Sequence, residues 1–252
     1  MIDNPKSLRS LQIRYNSRTG IEGLKKQSDY SQSDTDTNVD VFFDDLPNRL
    51  IGEINQADAV VGCVAWLTHP EILDALSKIE CVSIVVQKMK NFAPDHATPE
   101  EISWVNRLRS RYNKLKPMSA FSLEETRWLG FDEGKELDGI RCLGDLVNRP
   151  GDKYNNPKMH HKFLVLCKGE VGRAQISHGV YGSDFEPYAV WTGSFNFTRN
   201  AGFSLENAVL IRGVDIAYRY LGEWAQLLAL SEPLDWTAAH ADPDLRYGIY
   251  DE

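Results

Sequence analysis

From Val39 onward the apolar positions switch repeatedly between helical and strand-like spacing. Leu46, Leu50, Ile51 and Ile54 fall on one helical face with Pro47 in the first turn, which predicts a helix with a single buried side. Ala59 to Thr68 predicts a strand, and Ile72, Leu73, Leu76 and Ile79 a helix from about Pro70. Cys81 to Gln87, rich in Val and Ile, predicts a buried strand. Strands separated by helices argue for parallel pairing through right-handed crossovers, so the fold class is α/β. Further on, a helix is expected over residues 99–116 with Ile102, Val105, Leu108, Tyr112 and Leu115 inward, and a short strand around Gly139 to Leu143. Phe163 to Cys167 and Glu206 to Ile211 read as strands. Val214 to Leu230 reads as a helix by the spacing of Ile216, Tyr220, Leu221, Trp224, Leu227 and Leu228, stopped by Pro233. Residues 8–15 alternate as an edge strand, and 25–40 form a polar loop without periodicity. This divides the chain into an N-terminal strand and loop (1–38), a main domain (39–231) and a tail (232–252) whose Trp236, Tyr247 and Tyr250 lie among acidic residues.

Three polar clusters interrupt the apolar flanks: His160 and Lys162, then Gly193, Ser194 and Asn196, then Glu206. Side chains alternate along a strand, so His160 and Lys162 share one face while His161 and Phe163 take the other. A His and a Lys side by side at a strand's start can address one anion. Ser194 and Asn196 repeat the two-residue spacing after the apolar Ala189, Val190 and Trp191, and Gly193 permits close backbone approach. A nucleophile or base, a fixed cation, neutral donors and a carboxylate that orients the imidazole are the parts of a phosphoryl-transfer site that needs no metal or other cofactor.

At these residues the chain resembles the phospholipase D superfamily, whose pattern is His-x-Lys, four residues, Asp, then Gly-Ser-x-Asn and an acidic residue about a dozen positions on. The match is His160-x-Lys162, Gly193-Ser194-x-Asn196, and Glu206 twelve residues after Ser194. Cys167 stands where the family has Asp, a change expected to bear on strand support before catalysis. The 25 residues 168–192 replace a gap of about six, and the insertion, 168–188, is expected to be a loop or hairpin beside the site. The resemblance implies a mixed, largely parallel sheet flanked by helices on both faces, with one motif per subunit. It assigns His160 as the nucleophile that forms a phosphohistidine, and Lys162, Ser194 and Asn196 as holders of the non-bridging oxygens. Glu206 would fix the tautomer of a His160, and Arg199 would touch phosphate at the rim. A second histidine must protonate the leaving group. His69, His96, His178 and His240 have no Lys two positions on, so a two-fold homodimer sharing one site is expected.

Each residue also has a plainer reading. Trp191, Phe195 and Phe197 stack on bases or lie in the core, the second being the expectation. His161 is expected to pack or hydrogen-bond, and His178 and Gly182-Ser183-Asp184 to sit in turns. Arg107, Arg109, Arg111, Lys114 and Lys116 make the second half of their helix basic. A solvated face is the expectation there, ahead of a phosphate contact.

Composition narrows the partners. The formal charge of -8 argues against coating nucleic acid by bulk electrostatics, although a cleft can be locally basic. Cys63, Cys81, Cys142 and Cys167 lack short Cys-x-x-Cys spacing, and no apolar N-terminal core or 18-residue apolar run occurs, so a reduced, cytoplasmic protein off the membrane is expected. The functional expectation is a metal-independent nuclease, acting on DNA or RNA as a homodimer, as the effector of a defence or restriction system whose partner protein delivers or activates it. Two alternatives stay open: a phospholipid phosphodiesterase, and a phospholipase D-like scaffold or binding subunit without activity.

Overall fold

Nine strands form one sheet in the computed structural model, which describes residues 32–34, 38–88, 98–118, 137–144, 158–177 and 180–237. The strands are β1 (Gln32–Asp34), β2 (Val39–Phe42), β3 (Ala59–Val64), β4 (Cys81–Gln87), β5 (Ile140–Leu143), β6 (Lys162–Ser177), β7 (Val180–Gly193), β8 (Ala208–Arg212) and β9 (Glu232–Pro233), in the spatial order β1-β2-β8-β7-β6-β3-β4-β5-β9. The helices are α1 (Leu46–Ile54), α2 (Pro70–Leu76), α3 (Pro99–Tyr112) and α4 (Val214–Ala229), with a short 3₁₀ helix at Asn200–Phe203. The edge strand expected over 8–15, most of the polar loop over 25–40, Asn148 to Pro157, His96, His178, His240 and the tail beyond Thr237 lie outside the described residues.

The period-2 alternation of the central strands sorts the core into two layers. On one face Val60, Val64, Leu164 and Trp191 pack against Leu50 of α1 and Leu73 of α2. On the other, Val61, Cys63, Phe163 and Val165 meet Leu221 and Trp224 of α4. Helices thus cover both faces, as expected for an α/β sheet. Each fully buried Leu, Val or Phe contributes about 1.5–3 kcal/mol relative to exposure.

The expectation of a largely parallel sheet is corrected. Only β3·β4 and β4·β5 are parallel, and the other six pairings are antiparallel. Part of the reason lies in the connections: β6 and β7 form a hairpin, which can join only antiparallel neighbours, and no α-helix lies between β7 and β8 to carry the chain back across the sheet. The insertion is the outer half of the β6–β7 hairpin, with Lys168 opposite Glu186 and Ser177 opposite Val180. It therefore runs from the end of the strands away from His160 and Ser194, not beside them. Gly182-Ser183-Asp184, expected in a turn, lies within β7. The register slips between Leu166 and Cys167, where the partner is Pro187. Proline has no N–H to give a ladder, and a bulge is where a central strand tolerates it.

Other boundaries shift by a few residues. β3 ends at Val64, and the Ala65 N–H adds one last bond in the same register, to the His161 carbonyl 2.8 Å away. The strand expected from Glu206 begins at Ala208. β1 lies inside the expected loop and β9 beyond residue 231, so the sheet takes in residues on both sides of 39–231. α3 opens with the capping box of Thr98 and Glu101, and its C-terminal half, Leu108 and Tyr112, makes the core contact. Ile102, expected inward, is 41% exposed for that reason, and Ile216 at the start of α4 is 44% exposed. The tail docks as far as it is described: the Trp236 ring lies 5.7 Å from Tyr112.

Candidate active site at the end of the sheet

The turn out of β3, the entry to β6, the exit of β7 and the entry to β8 all fall at one end of the sheet. Val64 pairs with Lys162, Phe163 with Thr192, and Gly193 with Ala208. The polar clusters are carried there by register alone.

His160 is exposed just before β6, while Lys162 two residues on is buried. The Lys162 ammonium donates to the His160 carbonyl at 2.8 Å and lies 3.0 Å from His160 Nδ1 and 3.3 Å from Nε2. An ammonium has only protons to offer, so whichever ring nitrogen accepts from it is unprotonated. Partial burial, then the charges of Lys162 and His161, hold the His160 imidazole below its ordinary value. Burial also lowers Lys162, opposed by the nearby Glu206 carboxylate. The neutral imidazole, the state a nucleophile needs, is thus favoured. His161 points to the opposite face, with Nε2 3.1 Å from Glu223 Oε1 of α4 and its ring edge-on to Phe163, the packing and hydrogen-bonding role expected of it.

Across the strand end, Ser194 donates its hydroxyl proton to Glu206 in a short contact and accepts from the Asn207 N–H at 3.0 Å. The Ser194 N–H returns to the Asn207 carbonyl at 3.1 Å. Within one subunit Glu206 thus holds a serine rather than an imidazole. Gly193 makes the approach possible: its φ is +156°, and a Cβ there would stand 2.3 Å from the Asn207 carbonyl oxygen. Asn196 Oδ1 is buried and accepts no hydrogen bond from any described residue. Arg199 is 67% exposed and tied to Glu71 Oε1 at 3.3 Å, and Glu71 also meets His69 Nδ1 at 3.0 Å. The rim arginine therefore carries an acidic partner of its own. The expected helix over 99–116 ends at Tyr112, and its basic stretch is likewise partly paired, Arg111 with Asp74 and, beyond the helix, Lys116 with Glu80. Trp191, Phe195 and Phe197 are fully buried, which settles them as core.

Cys167 lies in the apolar layer under α4, where burial pushes its thiol up to about 12. A carboxylate does support β6 here, but it is that of Asp58, which accepts from the Gly169 N–H at 3.1 Å.

Two residues at this end were not singled out from the sequence. The buried Gln87, last in β4, accepts the Met159 N–H at 2.9 Å, and its own N–H donates to the Ala65 carbonyl at 3.2 Å. It ties together the two segments that lead to His160 and to Trp66. Trp66 stands edge-on to the His160 ring with centroids 5.3 Å apart. A strand read through to Thr68 hides Trp66, which a break after Val64 would have exposed, and Gln87 is hidden as the last residue of an apolar strand. Among the described residues, no three His, Cys, Asp or Glu side chains group to hold a metal, and no helix is long and apolar enough to cross a membrane.

No protein-family model matches the chain. An uncharacterized protein of Acanthamoeba polyphaga mimivirus is 27% identical over 239 residues, spanning 89% of this chain and 77% of that protein. Among solved structures, Nuc from Salmonella typhimurium, a phospholipase D family member, aligns over 78% of this chain and 97% of its own at 18% identity and a TM-score of 0.43. NucT from Helicobacter pylori aligns over 78% of this chain and 98% of its own at 15% identity and a TM-score of 0.45.

Proposed function

We propose that this chain is a phospholipase D-type phosphodiesterase that cleaves nucleic acid through a phosphohistidine, at a site completed by a second copy of itself. The neutral His160 imidazole of one copy attacks phosphorus and expels an alkoxide, which takes a proton from the His160 of the second copy, present as the imidazolium. That second imidazole then deprotonates water, water attacks the phosphohistidine, and both histidines return to their starting state. Lys162 would hold the non-bridging oxygens through its ammonium and Asn196 through its amide N–H groups, and Ser194 would join them once its hydroxyl proton is released from Glu206. The fixed positive charge of Lys162 does work that a metal ion does elsewhere. The observation that carries the reading is the Lys162 ammonium, buried yet tied to both the main chain and the ring of the exposed His160, with the Ser194–Glu206 pair across the same strand end.

The test is cleavage of labelled single- and double-stranded DNA and RNA in excess EDTA, wild type against His160→Ala, with acid quenching to trap labelled protein. EDTA-resistant cleavage and a trapped phosphoprotein, both lost in the variant, are expected. The acid limb of kcat/KM is expected below the ordinary histidine value of about 6.5, because lowering the imidazole's pKa keeps it unprotonated to lower pH. Cleavage that survives His160→Ala overturns the mechanism. Hydrolysis of phospholipid vesicles without oligonucleotide cleavage overturns the substrate.

A further inference from the structure

Trp66 is the exposed member of a segment that is otherwise buried and pinned. Ala65 and Leu67 are each 1% exposed, whereas Trp66 is 36% exposed. The backbone is held on both sides of it. The Ala65 N–H reaches the His161 carbonyl at 2.8 Å, the Ala65 carbonyl takes the Gln87 N–H at 3.2 Å, Leu67 bridges to Phe197, and the Thr68 N–H meets the Phe197 carbonyl at 2.8 Å. The indole is therefore not at the surface because its segment is loose. It is presented there.

What it is presented beside gives it a use. Its plane is 84° from that of the His160 imidazole, and the Lys162 ammonium lies over the indole, 5.9 Å from its centroid. One flat apolar face thus adjoins both the group that would attack phosphorus and the cation that would hold its oxygens. A solvated aromatic ring leaves favourable burial unused unless a partner covers it. Bases supply such partners whatever their identity, since every base has a π-face. Trp191, Phe195 and Phe197 cannot serve, being buried beneath the strand ends.

We propose that Trp66 is the platform on which the nucleobase next to the scissile phosphate stacks, and that it sets the substrate as nucleic acid with an unstacked base at that position. The inference rests on the nuclease reading and goes further in naming the recognition element. A base inside a duplex is already stacked on both sides, so the strand engaged is single or locally unpaired.

The experiment is a cycle of cleavage rates on one single-stranded oligonucleotide, intact or with a single abasic residue on either side of the cut. Wild type is compared with Trp66→Ala and Trp66→Phe. In wild type, one abasic position is expected to lower kcat/KM by roughly 5- to 150-fold, the span of a single base–aromatic stack. Trp66→Ala on the intact strand should lose a similar factor, the two losses should not add, and Trp66→Phe should recover most of the rate. An intact-to-abasic ratio unchanged between wild type and Trp66→Ala, or a wild-type rate indifferent to every abasic position, overturns the platform while leaving the nuclease reading intact. The wild-type arm reads the stack even if Trp66→Ala fails to fold. Absence of cleavage and of binding of the intact strand by wild type overturns the nuclease reading, and the platform with it.

Discussion

Gly193→Ala is the smallest change that tests how the two halves of the site are joined. The added Cβ would lie 2.3 Å from the Asn207 carbonyl oxygen and 2.8 Å from Ala208 Cα, against the 3.0 Å that real Cβ atoms respect. Backbone lies on both sides of the clash, so no flexible side chain can yield. The β7 exit and β8 entry must part by about 0.7 Å, at a φ of +156° that alanine rarely adopts. That opening falls on the bonds Ser194 N–H to Asn207 carbonyl and Asn207 N–H to Ser194 Oγ, at 3.1 and 3.0 Å. Weakening both costs about 1–3 kcal/mol and the backbone strain about 1–3 more, giving a loss of roughly 2–6 kcal/mol. Ser194 and Glu206 move with the strands, and a displacement approaching 1 Å lowers kcat on the order of 10- to 100-fold. Urea unfolding measures the first quantity and EDTA-resistant cleavage the second. A Gly193→Ala protein with wild-type stability and turnover would refute the claim that close approach at this glycine builds the site.

Cys167→Asp restores the residue of the phospholipase D pattern, yet it is expected to destabilise by at least about 1–3 kcal/mol in urea melts. The site is apolar, it already pushes a thiol up to about 12, and Asp58 supplies the strand's carboxylate; equal or greater stability would contradict this. Gln87→Leu keeps the volume but strands the buried Met159 N–H. It should cost about 1–3 kcal/mol and lower kcat with little change in KM, and an unchanged kcat would remove Gln87 from the positioning of His160.

What could be read from the sequence followed local pattern. Cys81 to Gln87 matches β4 because a strand covered on both faces is apolar at every position. The opposite facing of His160 and His161 followed from pleat alone, and the motif spacing placed Ser194 and Glu206 together. Strand direction did not follow, because β6 continues through 168–177 and β7 through 180–186, largely polar stretches where no alternation marks a strand. Ile102 and Ile216 kept helical periodicity on turns that reach beyond the core, which periodicity alone cannot detect. Trp66 and Gln87 join the site only through the β3·β6 and β3·β4 pairings, and no local spacing encodes those.

The order of the strands also has a consequence in time. The pairing of β6 with β3 is anchored by Gly169 and Asp58, which are 111 positions apart, whereas β6, β7 and β8 are consecutive neighbours. Closing so long a loop is entropically slower than forming a meander. The segment bearing Lys162, Ser194 and Glu206 can therefore assemble first, and Trp66 and Gln87 reach it only when β3 docks. On the ribosome, β3 emerges early and must wait for β6 to be made. A nascent chain thus keeps His160 outside a finished strand end until translation has passed β8, so the proposed chemistry could begin only late in the protein's own synthesis.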